Sequence, residues 1–386
     1  MARPRIVVLG SLNMDLVSYV PHHPLPGETL TATSFSTSPG GKGANQAVAC
    51  GKLSRSSTSS ASSSSSSASA DVAMIGAVGG DTYGAQLRDS LGSYGVDTTG
   101  VRVLDDAQTG VALIVVDEPS GQNRIILSPQ ANHALRPHHF AELPAPRPDL
   151  LIMQLEIPFD TVLQALSAAR EAGVPVLLNP APARELPEEA YAGLAHLVVN
   201  ETEAAILSGG KESDLDDLEG LKRVGAVFLR KGVRNVIITL GGRGVYYATD
   251  NGKSALVDAL KANVVDTTAA GDTFVGSYAL SVVNSTDVFD IDTAIRAANK
   301  ASAITVSRRG AQVSIPWKDE LQTMRSNSKG LAQIHLPRSW IPAANDFFFL
   351  SDPDVHVVPL VLRLQDRLLR SEPMFVAGFS SRLSLP

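Results

Sequence analysis

The sequence contains a single cysteine, Cys50. One thiol cannot form a disulfide within the chain, so the disulfide frameworks of small secreted domains are excluded and a reducing compartment is indicated. We expect Cys50 to be a small buried hydrophobic residue. No apolar run in the sequence approaches the ~20 residues that a membrane-spanning helix requires. These features predict a cytoplasmic protein, with the nucleus as the alternative, and no membrane partner.

Basic and aromatic residues are also scarce. The 33 lysines and arginines are outnumbered by 39 aspartates and glutamates, so the formal net charge is −6. A nucleic-acid surface normally shows a basic bias, and no nucleic-acid partner is therefore expected. Aromatic residues make up only 5% of the 386 residues, whereas glycines number 31. This length and composition are typical of an α/β protein with many tight turns, built as one large domain or two ordinary ones.

Two segments do not resemble parts of a packed domain. Twelve of the 17 residues at 54–70 are serine. Such a run buries too little apolar area to fold, so we expect a disordered surface insertion. An inert insertion is the simpler interpretation, and phosphorylation is the alternative. Residues 326–386 form a C-terminal tail whose apolar stretches keep neither a helical nor a strand period, so its structure is unknown. The remaining residues, 1–320, are predicted to form the main domain.

Strand and helix patterns alternate along this main domain. Strands are predicted at 5–10, 71–79, 150–156, 174–179, 196–200 and 235–242. Helices are predicted at 43–52, 160–171, 272–283 and 292–306, with a short helix beginning at Glu201. Such alternation favours an α/β fold in which a mostly parallel central sheet is covered by helices on both faces.

Two β-rich pieces do not alternate with helices. They are residues 12–38 and 100–128, and the second reads as a hairpin that turns at 119–123. We place them together as a small β-sheet that projects from the main domain, an arrangement that suits a lid.

Polar residues follow several of the predicted strands directly. In open α/β sheets, ligands bind outside the carboxyl ends of the strands, so these residues are expected to line one site. They are Asn13, Asp15, Glu156, Asn179, Asn200, Gly241 and Gly242. Taken alone, each has a simpler explanation. Asn200 with Glu203, for example, also fits a capping box at the start of a helix.

The stretch "VVDTTAAGDTFVG" at 264–276 places an acid directly after three small residues. If a helix begins at Asp272, the backbone N–H groups of Ala269, Ala270 and Gly271 lie unpaired at its N-terminus, where anions bind. Small side chains let a phosphoryl group approach these amides. Asp272 is then placed to take a proton from an alcohol that attacks the phosphoryl group. The alternative is that Asp272 merely caps the helix.

A second glycine-rich element is "SPGGKGANQA" at 38–47. It matches neither the Walker loop nor the full dinucleotide fingerprint, because Gln46 stands where the latter has its third glycine. Its glycines allow close approach of the backbone to a polar ligand, and Lys42 and Asn45 offer donors to hydroxyl groups. A plain loop-to-helix turn is the alternative.

Together these stretches resemble the ribokinases, a group within the phosphofructokinase-B type of sugar kinases. The resemblance covers about residues 5–320. It is carried, in order, by "GSLNMD" (10–15), "GGKGANQA" (40–47), "MQLE" (153–156), "NPAPARELP" (179–187), "NETEA" (200–204), "ITLGGRG" (238–244), "DTTAAGDTF" (266–274) and "RRGAQVSIP" (308–316).

The resemblance implies a ribokinase-like fold and transfer of the γ-phosphoryl group of ATP to the 5-hydroxyl of D-ribose. Asp272 corresponds to the general base, and Ala269, Ala270 and Gly271 to the anion hole that stabilises the developing charge. The positions that match sugar ligands are Asn13, Asp15, Gly41, Lys42, Asn45 and Glu156, with Asp272. The positions that match the nucleotide site are Asn200, Thr239, Gly241, Gly244 and Asn299, with Gly271 and Asp272.

The resemblance also implies metal ions and a partner. Asn200 and Glu203 match a motif associated with Mg²⁺ and phosphate, where an indirect role is chemically reasonable because Mg²⁺ keeps several waters. Ribokinases are also activated by a monovalent cation, usually K⁺. The matching positions are Asp266, Thr268, Thr305, Arg308, Gly310 and Ser314. Members of the group often form homodimers through their lids.

Two positions depart from the pattern of the group. Asn299 stands where a histidine near the adenine is common, and Gln130 stands where a glycine usually precedes Ala-Asn.

The sequence leaves two alternative functions open. One is a kinase for another sugar or a nucleoside. The other is a catalytically idle regulatory protein that binds ribose or a nucleotide.

Overall fold

The structure is a computed structural model, which describes residues 2–57, 68–286 and 288–321. Its contacts divide the chain into two units, Met1–Ala332 and Gln333–Pro386. The second unit, the predicted tail at 326–386 and most of the predicted insertion at 54–70 lie outside the described residues. The fold is therefore that of the first unit.

The larger sheet in the described part of the chain has nine strands. They are β1 (Arg5–Leu9), β4 (Asp71–Gly79), β5 (Asp97–Leu104), β8 (Leu150–Met153), β9 (Val176–Leu178), β10 (His196–Asn200), β11 (Asn235–Thr239), β12 (Val245–Thr249) and β13 (Ser254–Val257). Their order is β13-β12-β11-β10-β9-β8-β1-β4-β5. All pairs from β11 to β5 are parallel, and β12 and β13 add an antiparallel hairpin at one edge. The predicted mostly parallel sheet is confirmed.

Helices cover both faces of this sheet. They are α1 (Lys42–Ser54), α2 (Thr82–Ser93), α3 (Phe159–Glu171), α4 (Glu188–Tyr191), α5 (Glu201–Ser208), α6 (Leu218–Arg230), α7 (Ala270–Val283) and α8 (Ile291–Thr305). Ile6 and Val8 of β1 pack in one core cluster with α1, α2, α7 and α8. Val7 and Leu9 pack in another with α3, α5 and α6. Because successive strand residues point to opposite faces, β1 supplies both cores.

The smaller sheet has four strands. They are β2 (Asn13–Val20), β3 (Ser34–Gly40), β6 (Gly110–Asp117) and β7 (Asn123–Ser128), in the order β3-β2-β6-β7. The predicted small sheet is confirmed, with one correction. Residues 100–104, assigned to it from sequence, belong to β5 at the edge of the larger sheet. The small sheet joins the main sheet where β1 ends and β2 begins, next to the carboxyl ends of the strands.

Four of the main strands are shorter than predicted. β1 ends at Leu9, and β9 covers only Val176–Leu178. β8 ends at Met153 and β11 ends at Thr239, so Glu156 and Gly241 lie beyond the strands and not within them. β1 is flanked by β4 on one side and β8 on the other. The chain therefore winds outward in both directions from β1. In folds of this type the ligand crevice lies at such a switch point.

The ends of the predicted Ser-rich insertion are held together. The amide of Ser69 donates to the carbonyl oxygen of Ser54 at 2.9 Å. This contact lies between the end of α1 and the start of β4. Because β4 is parallel to β1, the insertion leaves the domain at the amino end of the strands, opposite the predicted site.

Lys52 is a lysine inside the core, with a relative exposure of 3%. Its Nζ donates to the backbone oxygen of Gln312 at 3.2 Å and lies 5.1 and 5.4 Å from the ring centroids of Tyr94 and Trp317. Burial lowers the pKa of Lys52 to about 8. The nearby Glu320 carboxylate opposes this shift but does not cancel it.

This burial predicts a pH-dependent stability. The folded pKa of Lys52 lies below its unfolded value, so the unfolded chain binds more protons between pH 8 and 10.5, and the free energy of unfolding rises with pH in that window. The gain is expected to reach at most about 3 kcal/mol, since one pKa unit corresponds to about 1.4 kcal/mol. It should disappear in Lys52→Met. Denaturant unfolding at pH 7 and pH 10 measures it, with the exposed Lys253→Met as the control. Parallel pH profiles for Lys52→Met and the parent would contradict the prediction.

Candidate active site

The side chain of Asn13 is fixed at the start of the small sheet. Asn13 is the first residue of β2, is 4% exposed, and accepts a hydrogen bond at its Oδ1 from Asn132 Nδ2 at 2.8 Å. Asn132 is itself fully buried and bonds both the amide and the carbonyl of Leu12, at 2.9 and 3.0 Å. The Asn13 amide group therefore has one set orientation at the joint between the two sheets.

Glu156 ties three elements of the site together. Its Oε2 accepts from Ser11 Oγ at 2.6 Å and from the backbone amide of Lys42 at 3.0 Å. Ser11 lies just after β1, Lys42 begins α1, and Glu156 follows β8. One carboxylate thus joins the two motifs that were predicted to bind sugar hydroxyls.

Three carboxylates and one ammonium group interact in the same place. Burial raises the pKa of Asp15 to about 7, and the negative charges of Glu156 and Asp272 add to this shift while Lys42 opposes it. Burial alone would lower the pKa of Lys42, but the charges of Asp272 and Glu156 outweigh it and raise that pKa. Groups with such shifted pKa values in a cleft are typical of a functional site.

Asp272 is held by two side-chain amides of α1. Its Oδ2 accepts from Asn45 Nδ2 at 3.1 Å, and its Oδ1 accepts from Gln46 Nε2 at 3.0 Å. Burial raises the pKa of Asp272, and the charge of Lys42 and the two amides act in the opposite direction. A carboxylate with a raised pKa and fixed geometry is suited to accept a proton.

The N-terminus of α7 differs from the prediction in two respects. The helix begins at Ala270, not at Asp272, and its N-cap Ala269 has a left-handed φ of 59°. The amide of Ala270 is not unpaired, because it donates to the carbonyl oxygen of Thr267 at 3.2 Å in a tight turn. Among the described residues, no acceptor pairs with the amides of Ala269 and Gly271. Two of the three predicted anion-hole amides are therefore available in this conformation.

A cavity of about 230 Å³ opens in front of this helix end. Its lining combines residues from the sugar, anion-hole and metal predictions. They include Lys42, Asn200, Glu203, Thr239, Ala269, Ala270, Gly271 and Asp272. The cavity brings the predicted general base, the amides and a cation together around one space large enough for a phosphoryl group.

Asn200 and Glu203 form the capping box that the sequence allowed. Asn200 Oδ1 accepts from the Glu203 amide at 2.8 Å, and Glu203 Oε2 accepts from the Asn200 amide at 2.9 Å. Both residues also line the cavity. Burial raises the pKa of Glu203, against the effect of its hydrogen bond and of Lys42. The capping and the site interpretations are thus compatible.

The predicted nucleotide residues lie on neighbouring elements. Gly241 and Gly244 form the turn from β11 to β12, and Gly244 has a φ of 102° with the Val257 oxygen 2.1 Å from where a Cβ would stand. Thr239 Oγ1 donates to the Val199 oxygen at 3.3 Å, and Asn299 Nδ2 donates to the Asp258 oxygen at 3.2 Å. Only Thr239 of these four lines the cavity.

The predicted cation loop is organised by one carboxylate. Asp266 Oδ1 accepts from the amide and the hydroxyl of Thr268, at 2.9 and 2.6 Å, and Asp266 Oδ2 accepts from the amide of Gly310 at 2.8 Å. Burial acts to raise the pKa of Asp266, but these hydrogen bonds hold it below its ordinary value. Three of the six predicted positions are therefore joined directly.

The other three positions make different contacts. Thr305 Oγ1 bonds Thr273 Oγ1 at 3.0 Å, Arg308 pairs with Glu320 at 2.6 Å, and Ser314 Oγ donates to the Ala311 oxygen at 2.7 Å. Within the described ranges, no group of three or more His, Cys, Asp or Glu side chains could hold a metal ion. A K⁺ site at this loop would consequently depend on carbonyl and hydroxyl oxygens.

Several residues of the site were not identified from sequence. They are Ser11, Gln46, Asn132, Gln154 and Gln312, all of which position another polar group. Ser11, Gln46, Gln154 and Gln312 stand inside motifs quoted for the resemblance, so the motif itself is the available signal. Asn132 belongs to the Ala-Asn pair noted after Gln130, but its partners Leu12 and Asn13 are distant along the chain.

Gln130, one of the two departures, has a left-handed backbone. Its φ is 47°, in the region where glycine carries no steric penalty. The glycine that is usual at this position therefore has a conformational reason, and this chain keeps the same backbone with a bulkier residue.

None of the described helices could cross a lipid bilayer, since none combines sufficient length with sufficient hydropathy.

Comparison with known proteins gives consistent matches. The family described as "pfkB family carbohydrate kinase" matches residues 3–318. The chain is 44% identical over 316 residues to a ribokinase of Schizosaccharomyces pombe, covering 81% of this chain and 94% of that protein. It is 35% identical over 314 residues to a deoxyribokinase of Salmonella typhimurium, covering 81% and 95%. It superimposes on Arabidopsis thaliana ribokinase complexed with ribose and ATP with a TM-score of 0.72 and 29% identity, covering 84% and 99% of the two chains.

Proposed function

The chain belongs to the pfkB family of carbohydrate kinases, and on that premise we propose that it transfers the γ-phosphoryl group of ATP to the 5-hydroxyl of D-ribose. One observation carries the proposal: the carboxylate of Asp272 lies at the edge of a cavity lined by helix-end amides and Lys42. The 44% identity to a ribokinase over 316 residues supports ribose as the sugar.

Asp272 is the general base of the proposed reaction. Its carboxylate accepts the proton of the sugar hydroxyl while the hydroxyl oxygen forms a bond to the γ-phosphorus, and the bond from that phosphorus to the oxygen of the departing ADP breaks. A pKa raised by burial favours proton acceptance. Asn13, Asp15, Asn45 and Glu156 hold the other hydroxyls of the sugar.

The helix-end amides are the anion hole. The N–H groups of Ala269 and Gly271 face the phosphoryl oxygens at the positive end of α7. The amide of Ala270 joins them only by giving up its bond to the Thr267 oxygen. The ATP phosphates extend from this point across the cavity towards Asn200 and Thr239. The adenine of ATP lies beyond them, near Gly241, Gly244 and Asn299.

Mg²⁺ is the divalent cofactor we assign to this phosphate path. The residues fit an indirect role, because both Asn200 and Glu203 line the cavity while their capping box occupies part of their bonding capacity. The ion would neutralise charge on the phosphate oxygens. Asn200 and Glu203 would orient its water ligands.

K⁺ is the monovalent activator we assign to the loop around Asp266. The loop fits a cation because one carboxylate fixes two backbone segments next to the start of α7, and carbonyl oxygens are the ligands that K⁺ requires. A bound cation there would order the anion hole and strengthen its field.

Replacing K⁺ with Na⁺ is expected to lower kcat several-fold, because the smaller ion fits the loop less well. K⁺ should also raise the melting temperature of the ligand-free protein, since an ion that binds only the folded state stabilises it. Asp266→Asn should reduce both effects. Turnover and melting curves in matched KCl and NaCl test this, and insensitivity of both to the cation would remove K⁺ from the assignment.

The small sheet is the proposed lid and the proposed dimer surface. Phe35, Leu113 and Ile126 are 62%, 42% and 63% exposed, and the strand register places them on one face, opposite Asp15. A solvent-exposed apolar face of this kind marks an interaction surface. We infer a homodimer joined through this face, in a reducing compartment such as the cytoplasm.

A coupled assay of ADP release tests the function. The full chain is given ATP, Mg²⁺ and K⁺ with ribose, 2-deoxyribose, other pentoses or nucleosides. The proposal expects ADP release with ribose at the highest kcat/KM and a product phosphorylated on the 5-oxygen. A higher kcat/KM for another acceptor would assign the enzyme to that acceptor. Binding of ribose or ATP without turnover would indicate the regulatory alternative.

A further inference from the structure

Gln46 has a buried side-chain amide, and both its N–H groups and its oxygen have hydrogen-bond partners. It is fully buried, its Nε2 donates to Asp272 Oδ1 at 3.0 Å and to Asn179 Oδ1 at 3.0 Å, and its Oε1 accepts from Gln154 Nε2 at 2.6 Å. Both N–H groups are thus used. A side chain without exposed surface or spare donors cannot bind substrate. Its contact nearest the reaction is the carboxylate of Asp272.

The partners that hold Gln46 are anchored to the central sheet. Asn179 follows β9, and its Nδ2 donates to the Val198 oxygen of β10 at 2.9 Å. Gln154 follows β8 and is fully buried. Gly10 leaves the room that Gln154 needs, since a Cβ on Gly10 would stand 2.0 Å from Gln154 Oε1. Gln46 therefore links Asp272 by hydrogen bonds to residues that follow strands of the central sheet.

The other oxygen of Asp272 is held differently. Asn45 Nδ2 donates to Asp272 Oδ2 at 3.1 Å, and Asn45 Oδ1 accepts from Gln312 Nε2 at 3.2 Å. One N–H of Asn45 is left for a ligand. The two neighbouring amides of α1 thus have different roles. Asn45 is shared with the predicted sugar site, whereas Gln46 bonds only to protein groups, and Asp272 is the one of them that is proposed to react.

We propose that Gln46 is a positioning residue for the phosphoryl transfer: its amide fixes the rotamer of the Asp272 carboxylate and stabilises the ionised form that accepts the proton. The inference rests on the proposed function and deepens it. A donor to a carboxylate favours the charged form, so removing the donor moves the proton affinity upward. The charged groups that also act on Asp272 are Lys42, Glu156, Asp15 and Glu203, and all remain when Gln46 is replaced.

The kinetic test uses Gln46→Met, which keeps most of the volume and removes the amide. We expect kcat for ribose to fall roughly 10- to 100-fold, with KM for ribose changed less than about threefold, since positioning acts on the reacting geometry. The acidic limb of the pH profile should move to higher pH. Gln46→Glu is the second variant, and its added negative charge should move that limb further. Thr161→Val is the matched control, because Thr161 is equally buried and loses one bond, to the Leu135 oxygen, away from the site.

A ligand-free measurement separates this inference from the proposed function. Carboxyl carbon NMR of aspartate-labelled protein follows the resonance that disappears in Asp272→Asn. We expect it to titrate at higher pH in Gln46→Met and Gln46→Glu than in the parent and in Thr161→Val. This result stands even if the parent phosphorylates a different acceptor.

Three results would overturn the role. They are an unshifted Asp272 titration in both variants, a parental kcat in both variants, or a loss of kcat that Thr161→Val reproduces at equal loss of stability. If Gln46→Met does not fold, the titration and kcat of Gln46→Glu decide the matter.

Discussion

Asp272→Asn is expected to lower kcat for ribose phosphorylation by roughly 100-fold or more, because an amide cannot take the proton that the attacking hydroxyl must lose. Asparagine has nearly the same shape but only one acceptor oxygen, so it can keep the hydrogen bond from Asn45 or from Gln46 but not both. The fold should nevertheless be intact. KM for ATP should change little. Initial rates with saturating ATP and ribose measure the effect.

The control for this substitution is Asp290→Asn. Asp290 is the N-cap of α8, where its side chain accepts from Thr293, and asparagine is an equally good cap. The control removes one aspartate at a helix start while the cavity is untouched, so its kcat should equal that of the parent. Near-parental turnover in Asp272→Asn would exclude Asp272 as the base.

Asp15→Asn is expected to raise the free energy of unfolding of the ligand-free protein and to weaken the binding of ribose. The folded pKa of Asp15, about 7, exceeds its ordinary value of 3.8. Between pH 3.8 and 7 the Asp15 carboxyl is ionised in the unfolded chain but still protonated in the folded protein. The free energy of unfolding therefore falls as the pH rises from about 4 to 7, and it stays reduced above pH 7. Asparagine carries no charge and avoids this cost, which we put at about 2 kcal/mol at pH 8 after allowance for partial exposure.

The same substitution should raise KM for ribose roughly 100-fold, since hydrogen bonds to a charged group contribute about 1.5–3 kcal/mol each. Unfolding curves at pH 4 and pH 8 and steady-state kinetics test both effects. Asp106→Asn, in an exposed loop, should change neither. Equal unfolding free energies for Asp15→Asn and the parent at pH 8 would show that the carboxylate cluster is not strained.

The main sheet could be predicted from sequence because its strands are buried on both faces. Runs such as 72–78 and 197–199 contain no polar side chain, which is typical of parallel strands. Helix α6 was missed although Leu221, Val224 and Phe228 repeat at helical spacing behind the N-cap Asp217. Helix α2 gave a weak signal, because it contains two glycines and buries only two large apolar side chains, Leu87 and Leu91.

The error at residues 100–104 has a different origin. β5 is the edge of the larger sheet and consists mostly of half-buried and exposed residues, as the strands of the small sheet do. A local pattern of this kind states that a strand is half-exposed, but which sheet it joins depends on partners far along the chain.

The residues of the candidate site also differ in how far the sequence indicates them. Asp15, Lys42, Glu156 and Asp272 could be selected because they stand in short motifs next to strand or helix ends. Gln46, Gln154 and Gln312 stand in the same motifs, but their supporting role depends on partners that the local sequence does not indicate, since Gln312 bonds Asn45 from 267 residues away along the chain. The Ala270 amide was assigned wrongly because the left-handed turn at Ala269 is a backbone detail that small residues permit but do not dictate.

The hydrogen bond between Ser54 and Ser69 has a practical consequence. A segment whose two ends meet adds little constraint to the folded domain, whatever its length. This junction is therefore a suitable insertion site. An affinity tag, a fluorescent domain or new chain termini could be introduced between these serines. Because this junction lies at the amino end of the strands, on the face remote from the cavity, a domain inserted there should not obstruct sugar turnover.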